Sequence, residues 1–245
     1  MIWDLSIRIF HLLFAATIIA AYFTGENGAL VWHERLGVTA VGLLSYRLIW
    51  GFWGPKPSRF INMVPSVTAL TSYIQAVFKR TPPLFIGHNP LGALSVFAFI
   101  LLALAISVTG LFSMDDIIYE APLAYLVPDL SHDITKIHEA LHDLVWPLIG
   151  LHLAAVAIHQ FVFKEALIQR MVFGVDEKEM SFLASTQQSA SESDTTVLND
   201  LLDHQLSDSQ LAKTESENID SRQAAGIFLL GGCITLSWLI FLVLL

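Results

Sequence analysis

Apolar residues in this chain come in long runs, not at alternating or amphipathic spacing. Five runs reach the about 20 residues that cross a bilayer as a helix. They cover about Ile7 to Phe23, Trp32 to Phe52, Leu91 to Phe112, Ile137 to Phe163 and Ala224 to Leu245. The pattern predicts an all-α integral membrane protein. The first run lacks a small-residue cleavage pattern and contains His11, so it reads as a retained span and not as a signal peptide. The Pro-containing stretch Gly54 to Pro90 has room for an interfacial helix, with Val67 to Phe78 the candidate. Asp176 to Ser221 is rich in Ser, Thr, Gln, Asp and Glu, and most of it is expected to be disordered. A short helix around Val197 to Leu211 is the one candidate element within it, either as part of a tether or as a docking segment. The chain thus divides into a four-span unit over 1–174, an acidic segment over 175–222 and a C-terminal span over 223–245.

Composition agrees with that reading. Of the 245 residues, 54% are hydrophobic and only 14% charged, against about 25% charged in soluble domains. The single cysteine, Cys233, excludes an intrachain disulfide framework and a zinc site of paired thiolates. The net charge of −9 gives no support to nucleic-acid binding, and it is unevenly placed. Residues 174–222 hold eleven acids and three bases, so the membrane unit is near neutral. Lys56, Arg59, Lys79 and Arg80 lie without an acid between spans two and three. Asp115, Asp116, Glu120, Asp129 and Asp133 face a single Lys136 between spans three and four. Lys164 and Arg170 follow span four, and Arg222 precedes span five. The positive-inside rule then predicts a cytoplasmic N-terminus and a periplasmic C-terminus.

Nine histidines in so apolar a chain are the candidate chemistry, because ionisable side chains within a membrane are costly and mark function. His138 and His152 are fourteen residues apart in the fourth run. That spacing puts them within roughly 40° on one helix face and about 21 Å apart along the axis. One metal cannot use both; two stacked cofactors can. Alternation of the spans puts His11 and His152 at cytoplasmic depth and His33 and His138 at periplasmic depth. Two bis-histidine haems b, His11 with His152 and His33 with His138, are the economical reading. His142, one turn after His138, competes for the outer iron, and His159 reads as interfacial. His88, in Gly87-His88-Asn89-Pro90-Leu91-Gly92, either lines a quinone pocket or serves a plain helix start. Arg8 and Arg47 either meet haem propionates at the inner haem or anchor the spans. Gly37, Gly42 and Gly150 admit either a flat macrocycle or a neighbouring helix. Pro147 interrupts the hydrogen-bond ladder between His138 and His152 and disturbs the angular estimate.

Trp3-Asp4-Leu5 with Arg8-Ile9-Phe10-His11, His33-Glu34-Arg35-Leu36-Gly37, Tyr46-Arg47-Leu48-Ile49-Trp50-Gly51, the Gly87 to Gly92 run and His138-Glu139 leading to His152 make a set. Over about Met1 to Gly174 it resembles bacterial membrane cytochromes b of the cytochrome b561, hydrogenase and formate dehydrogenase type. The resemblance implies a four-helix core in the bacterial inner membrane with two haems b. It also implies ligands from spans one, two and four, and electron exchange between quinone and a periplasmic redox protein. Asn89 and Gly92 are the positions it carries over to the quinone. The acidic segment and fifth span depart from the four-span pattern. The expected function is therefore electron transfer across the membrane to or from a periplasmic protein, such as a c-type cytochrome or a hydrogenase-like module. The acidic loop from Asp115 to Asp133 is suited to steering a positively charged partner. Two alternatives are a self-contained superoxide:quinone oxidoreductase without a protein partner and a transporter using histidines as proton relays.

Overall fold

The computed structural model describes residues 4–79, 89–115, 119–174 and 204–244, the last stretch as backbone alone up to residue 220. Among them the chain is helical, with no strand beyond one bridge between Met114 and Glu120. In chain order the helices are α1 (Leu5–Glu26), α2 (Leu30–Trp53), α3 (Phe60–Met63), α4 (Val67–Phe78) and α5 (Pro90–Leu111). They continue as α6 (Pro128–Asp143), α7 (Val145–Ala157) with a π-turn (Ile158–Val162), α8 (Leu167–Val172) and α9 (His204–Leu244). Helices dominate because a bilayer offers no water to backbone groups, so each segment must satisfy its own. The protein is an all-α membrane bundle with five helices long and apolar enough to cross.

Local chemistry starts the helices. The Asp4 carboxylate accepts from Ile7 N at 2.9 Å, Ser66 Oγ from Ala69 N at 3.1 Å, and Asn89 Oδ1 from Gly92 N at 2.7 Å. Each satisfies an orphan donor of a first turn. Pro90 and Pro128 occupy first helical positions, where a missing N–H costs nothing. The helix α4 has the bounds expected for it, Val67–Phe78.

Two elements differ from the apolar runs. The fourth is not one helix from Ile137 but α6 and α7 separated by a turn at Leu144. Pro147 has no N–H to offer the carbonyl of residue 143, which explains a break there. The polar turns Pro128 to Lys136 extend α6 well ahead of the apolar run. The last helix likewise begins at His204, not Ala224. The expected short helix falls partly outside the described residues, and its end is the start of α9.

Packing is uneven. α1, α2 and α9 enclose a cluster of Ile7, Phe10, Leu43, Tyr46, Trp50, Leu230 and Cys233. A Cβ on Gly42 would come within 2.6 Å of Ser237 Oγ and 2.8 Å of Ile234 Cα, so this glycine serves helix packing, the second of its two readings. Trp238 Nε1 donates to Thr39 Oγ1 at 3.3 Å across the same contact. At the Asp4 end, the buried Asp4 carboxylate accepts from Ser6 Oγ, from Trp50 Nε1 at 3.2 Å and from Ser58 Oγ at 2.7 Å. Tyr46 OH donates to Ser6 Oγ at 2.6 Å and so joins the network. α7 by contrast buries none of its residues.

Two outcomes follow from these contacts. Replacing Asp4→Ala strands three buried side-chain donors and a helix cap, and should cost about 2 kcal/mol or more in thermal unfolding in detergent. Replacing Gly42→Leu should lift α9 from α2 and raise the rate of maleimide labelling at Cys233 severalfold.

Candidate functional site

The structure brings the four intramembrane histidines together in two pairs. The His11 and His152 rings lie 6.4 Å apart between centroids, at an interplanar angle of 44°. The His33 and His138 rings lie 6.0 Å apart at 88°. The first pair joins α1 to α7 near the Asp4 end, and the second joins α2 to α6 at the opposite end.

The His33–His138 pair is seated by one device used twice. His33 Nδ1 donates to Ala21 O at 2.8 Å, and His138 Nδ1 donates to Ile106 O at 3.0 Å, with Thr109 Oγ1 at 3.2 Å. A carbonyl inside a helix is normally shielded by the side chain four residues later, because Cβ atoms tilt toward the helix N-terminus. Here those later residues are Gly25 and Gly110. A Cβ on Gly25 would lie 3.0 Å from His33 Nδ1, and one on Gly110 would lie 3.0 Å from His138 Cε1. Each glycine therefore leaves room for an imidazole against a helix carbonyl. Donation from Nδ1 leaves Nε2 as the lone-pair nitrogen, the arrangement usual for a metal-bound histidine. Neither glycine stood out in the sequence, where nothing links residue 25 to 33 or 110 to 138. The Phe99 and His152 rings lie 5.4 Å apart between centroids, at 88°.

These residues fit a planar iron cofactor. Two imidazoles that share one metal at bonds of about 2.0 Å have ring centroids about 6 Å apart, and both pairs are at that separation. Neither α1 with α7 nor α2 with α6 forms an extended backbone contact among the described residues. Gly37 and Gly150 have open space where a Cβ would stand, as a flat macrocycle close to the backbone requires.

The remaining expected residues have other surroundings. His142 turns away from the His33–His138 pair and stacks on Tyr22 at 4.8 Å and 10°, with Trp146 edge-on to Tyr22 at 4.7 Å. Arg8 donates through Nε to Met171 O at 3.0 Å and through a terminal nitrogen to Val172 O at 2.6 Å, closing the end of α8. Arg47 donates to Ser58 O at 3.2 Å and lies 4.5 Å over the Phe60 ring. Both guanidiniums thus hold backbone at the Asp4 end. Asn89 and Gly92 form the α5 cap, and His88 is outside the described residues.

His159, expected near the exit of the fourth span, is buried there. It lies in the π-turn, a helix defect often found at functional positions. After that turn Lys164 takes a left-handed conformation (φ 58°), and Glu165 N returns to His159 O at 2.9 Å. The reversal sets the Glu165 carboxylate 3.1 Å from His159 Nδ1, while Tyr73 OH of α4 lies 3.1 Å from Nε2. With Nδ1–H donating to the carboxylate, Nε2 accepts from the phenol. Burial, with Glu165 nearby, pushes the Tyr73 phenol up to about 12, so it is a proton donor near neutrality. Nothing in the sequence singled out Tyr73.

A membrane bundle that faces imidazole pairs across gaps between its helices is an electron carrier of the cytochrome class. The family model for prokaryotic cytochrome b561 matches residues 2–174, and the chain belongs to that family. It is a membrane b-type cytochrome of electron transfer that binds haem b, and α9 lies outside the matched region. No curated protein and no solved structure matches it significantly.

The seats can be tested directly. Gly110→Val should displace the His138 ring and lower haem b content by about half, read by pyridine haemochrome assay. Gly231→Ala, which meets no atom within 4 Å, should leave it unchanged.

Proposed function

We propose that the protein carries electrons across the bacterial inner membrane between quinone and a periplasmic redox protein. In this reading His11 with His152, and His33 with His138, hold two haems b, the first pair toward the cytoplasm. The observation that supports it is the paired imidazoles, one pair near each end, both at a separation suited to a shared iron. When bound, each haem supplies a one-electron couple whose potential and access the protein sets.

The chain's own residues supply position and proton handling. Quinol gives up two protons with its two electrons, so the quinone side needs a proton acceptor. His159 meets that need, with Nε2 as the accepting atom once Tyr73 OH turns away and Glu165 stabilising the charge gained at the ring. Asn89 and Gly92 open α5, which packs against α4, and with His88 they are assigned to the quinone. The N-terminus is cytoplasmic and α9 ends in the periplasm, as the basic and acidic loops suggest. The superoxide alternative needs free cations outside. Lys136 is paired with Asp133 at 2.9 Å and Arg35 stacks on Trp32 at 5.1 Å, which weighs against it.

The decisive experiment is reduced-minus-oxidised spectroscopy of the purified protein with each of the four histidines changed to Ala. Each change should remove one of two haem signals, and His142→Ala should remove neither. A wild-type protein with no b-type signal, or both haems kept in His138→Ala, would refute the assignment. His159→Gln should slow reduction by quinol at least tenfold while dithionite still yields the full spectrum.

A further inference from the structure

The acidic outer segment is a built platform. α1 and α2 are joined by a tight turn at 27–29, and His33 lies only three residues into α2. Its partner His138 lies ten residues into α6. At 1.5 Å per residue, α6 stands about 10 Å beyond the ends of α1 and α2. Residues 113–127 fold onto that projecting length where they are described. Thr135 Oγ1 receives Met114 N at 3.0 Å and donates to Met114 O at 3.1 Å. Ser131, fully buried, donates to Ala124 O at 3.2 Å. Leu123 N returns to Leu111 O at 3.0 Å, and Ala121 N to Ser113 O at 3.0 Å. The cap has its own buried hydrogen bonds.

What it presents is unusual for a surface beyond the bilayer. Tyr125, Leu126 and Leu130 are 58%, 56% and 57% exposed. On the same segment Asp115, Glu120, Asp129 and Asp133 are also exposed, and the cap's one described lysine, Lys136, is bound to Asp133. Exposed apolar side chains on one segment with exposed like charge are the form of a docking surface. Acids rule out attraction to anionic headgroups, and α6 carries these side chains about 10 Å beyond the ends of α1 and α2.

We infer that the cap formed by residues 113–115 and 119–136 docks a soluble, lysine-ringed redox protein through Tyr125, Leu126 and Leu130, with Glu120, Asp129 and Asp133 steering it. This rests on the proposed electron-transfer role and identifies the partner's chemistry. Docking there sets the partner on the helix that carries His138.

The test uses the full haem-loaded chain in nanodiscs of neutral phosphatidylcholine. The reduced protein is mixed in stopped flow with a basic c-type cytochrome and, separately, with an acidic one. Oxidation by the basic protein should be faster and should fall roughly tenfold from low to physiological salt. The double change Glu120→Lys with Asp129→Lys should lower the low-salt rate about tenfold, and Leu126→Ser with Leu130→Ser should slow it without removing salt dependence. Haem content of each variant reports its fold. A salt-independent rate, or charge reversal without effect in a protein of intact spectrum, overturns the docking site. A wild-type protein without haem would instead refute the electron-transfer reading. Docking is then read from salt-sensitive binding of zinc-substituted basic cytochrome to the same discs, and its absence overturns this proposal too.

Discussion

Facing imidazoles about 6 Å apart impose a constraint that ordinary helix packing cannot meet. Helices in membranes hold together by close approach at small residues, whereas the α1–α7 and α2–α6 pairs meet through imidazole rings. Cohesion is displaced elsewhere. It lies in the Asp4 network, where one buried carboxylate joins the start of α1 to the end of α2 and to Ser58. It lies also along α9, whose backbone reaches Gly42 of α2. α1 and α2 thereby form a rigid wall, and the His11 and His33 rings on it are set independently of the fourth span.

Rigidity of the wall would count for little if the rings could rotate. His33 and His138 are held by helix carbonyls that remain open because the fourth residue after each is glycine. The glycine's role is to bare an acceptor, not to adopt an unusual backbone. That ties tautomer to packing: the bond that orients each ring also decides which nitrogen keeps its lone pair.

The spans, the helix over Val67 to Phe78 and the meeting of the histidines in pairs were legible in the sequence because they depend on one-dimensional quantities, run length and helical period. Pairing His11 with His152 needed only depth. Arg8 and Arg47 could not be placed this way, since their partners Met171, Val172 and Ser58 are backbone carbonyls that no residue pattern marks. Gly25 and Gly110 were silent for the same reason. The partners of His159 were not legible because its burial is created by a chain reversal at Lys164 and by a residue more than eighty positions away, Tyr73.

The fourth apolar run shows most clearly how a single segment is divided among environments. A continuous α-helix from residue 128 to 162 would carry polar and apolar faces around a fixed spiral. The break at Leu144 lets α6 and α7 choose their faces separately. α6 can then turn His138 to His33 while its first turns stand among the acids of the cap. α7 can turn His152 to His11. The π-turn inserts one more adjustment before the chain leaves the bundle, and that adjustment carries His159 inward to Tyr73 and Glu165. His138, His152 and His159 on one span thus reach three different partners, and a defect in the helix separates each of these three from the next.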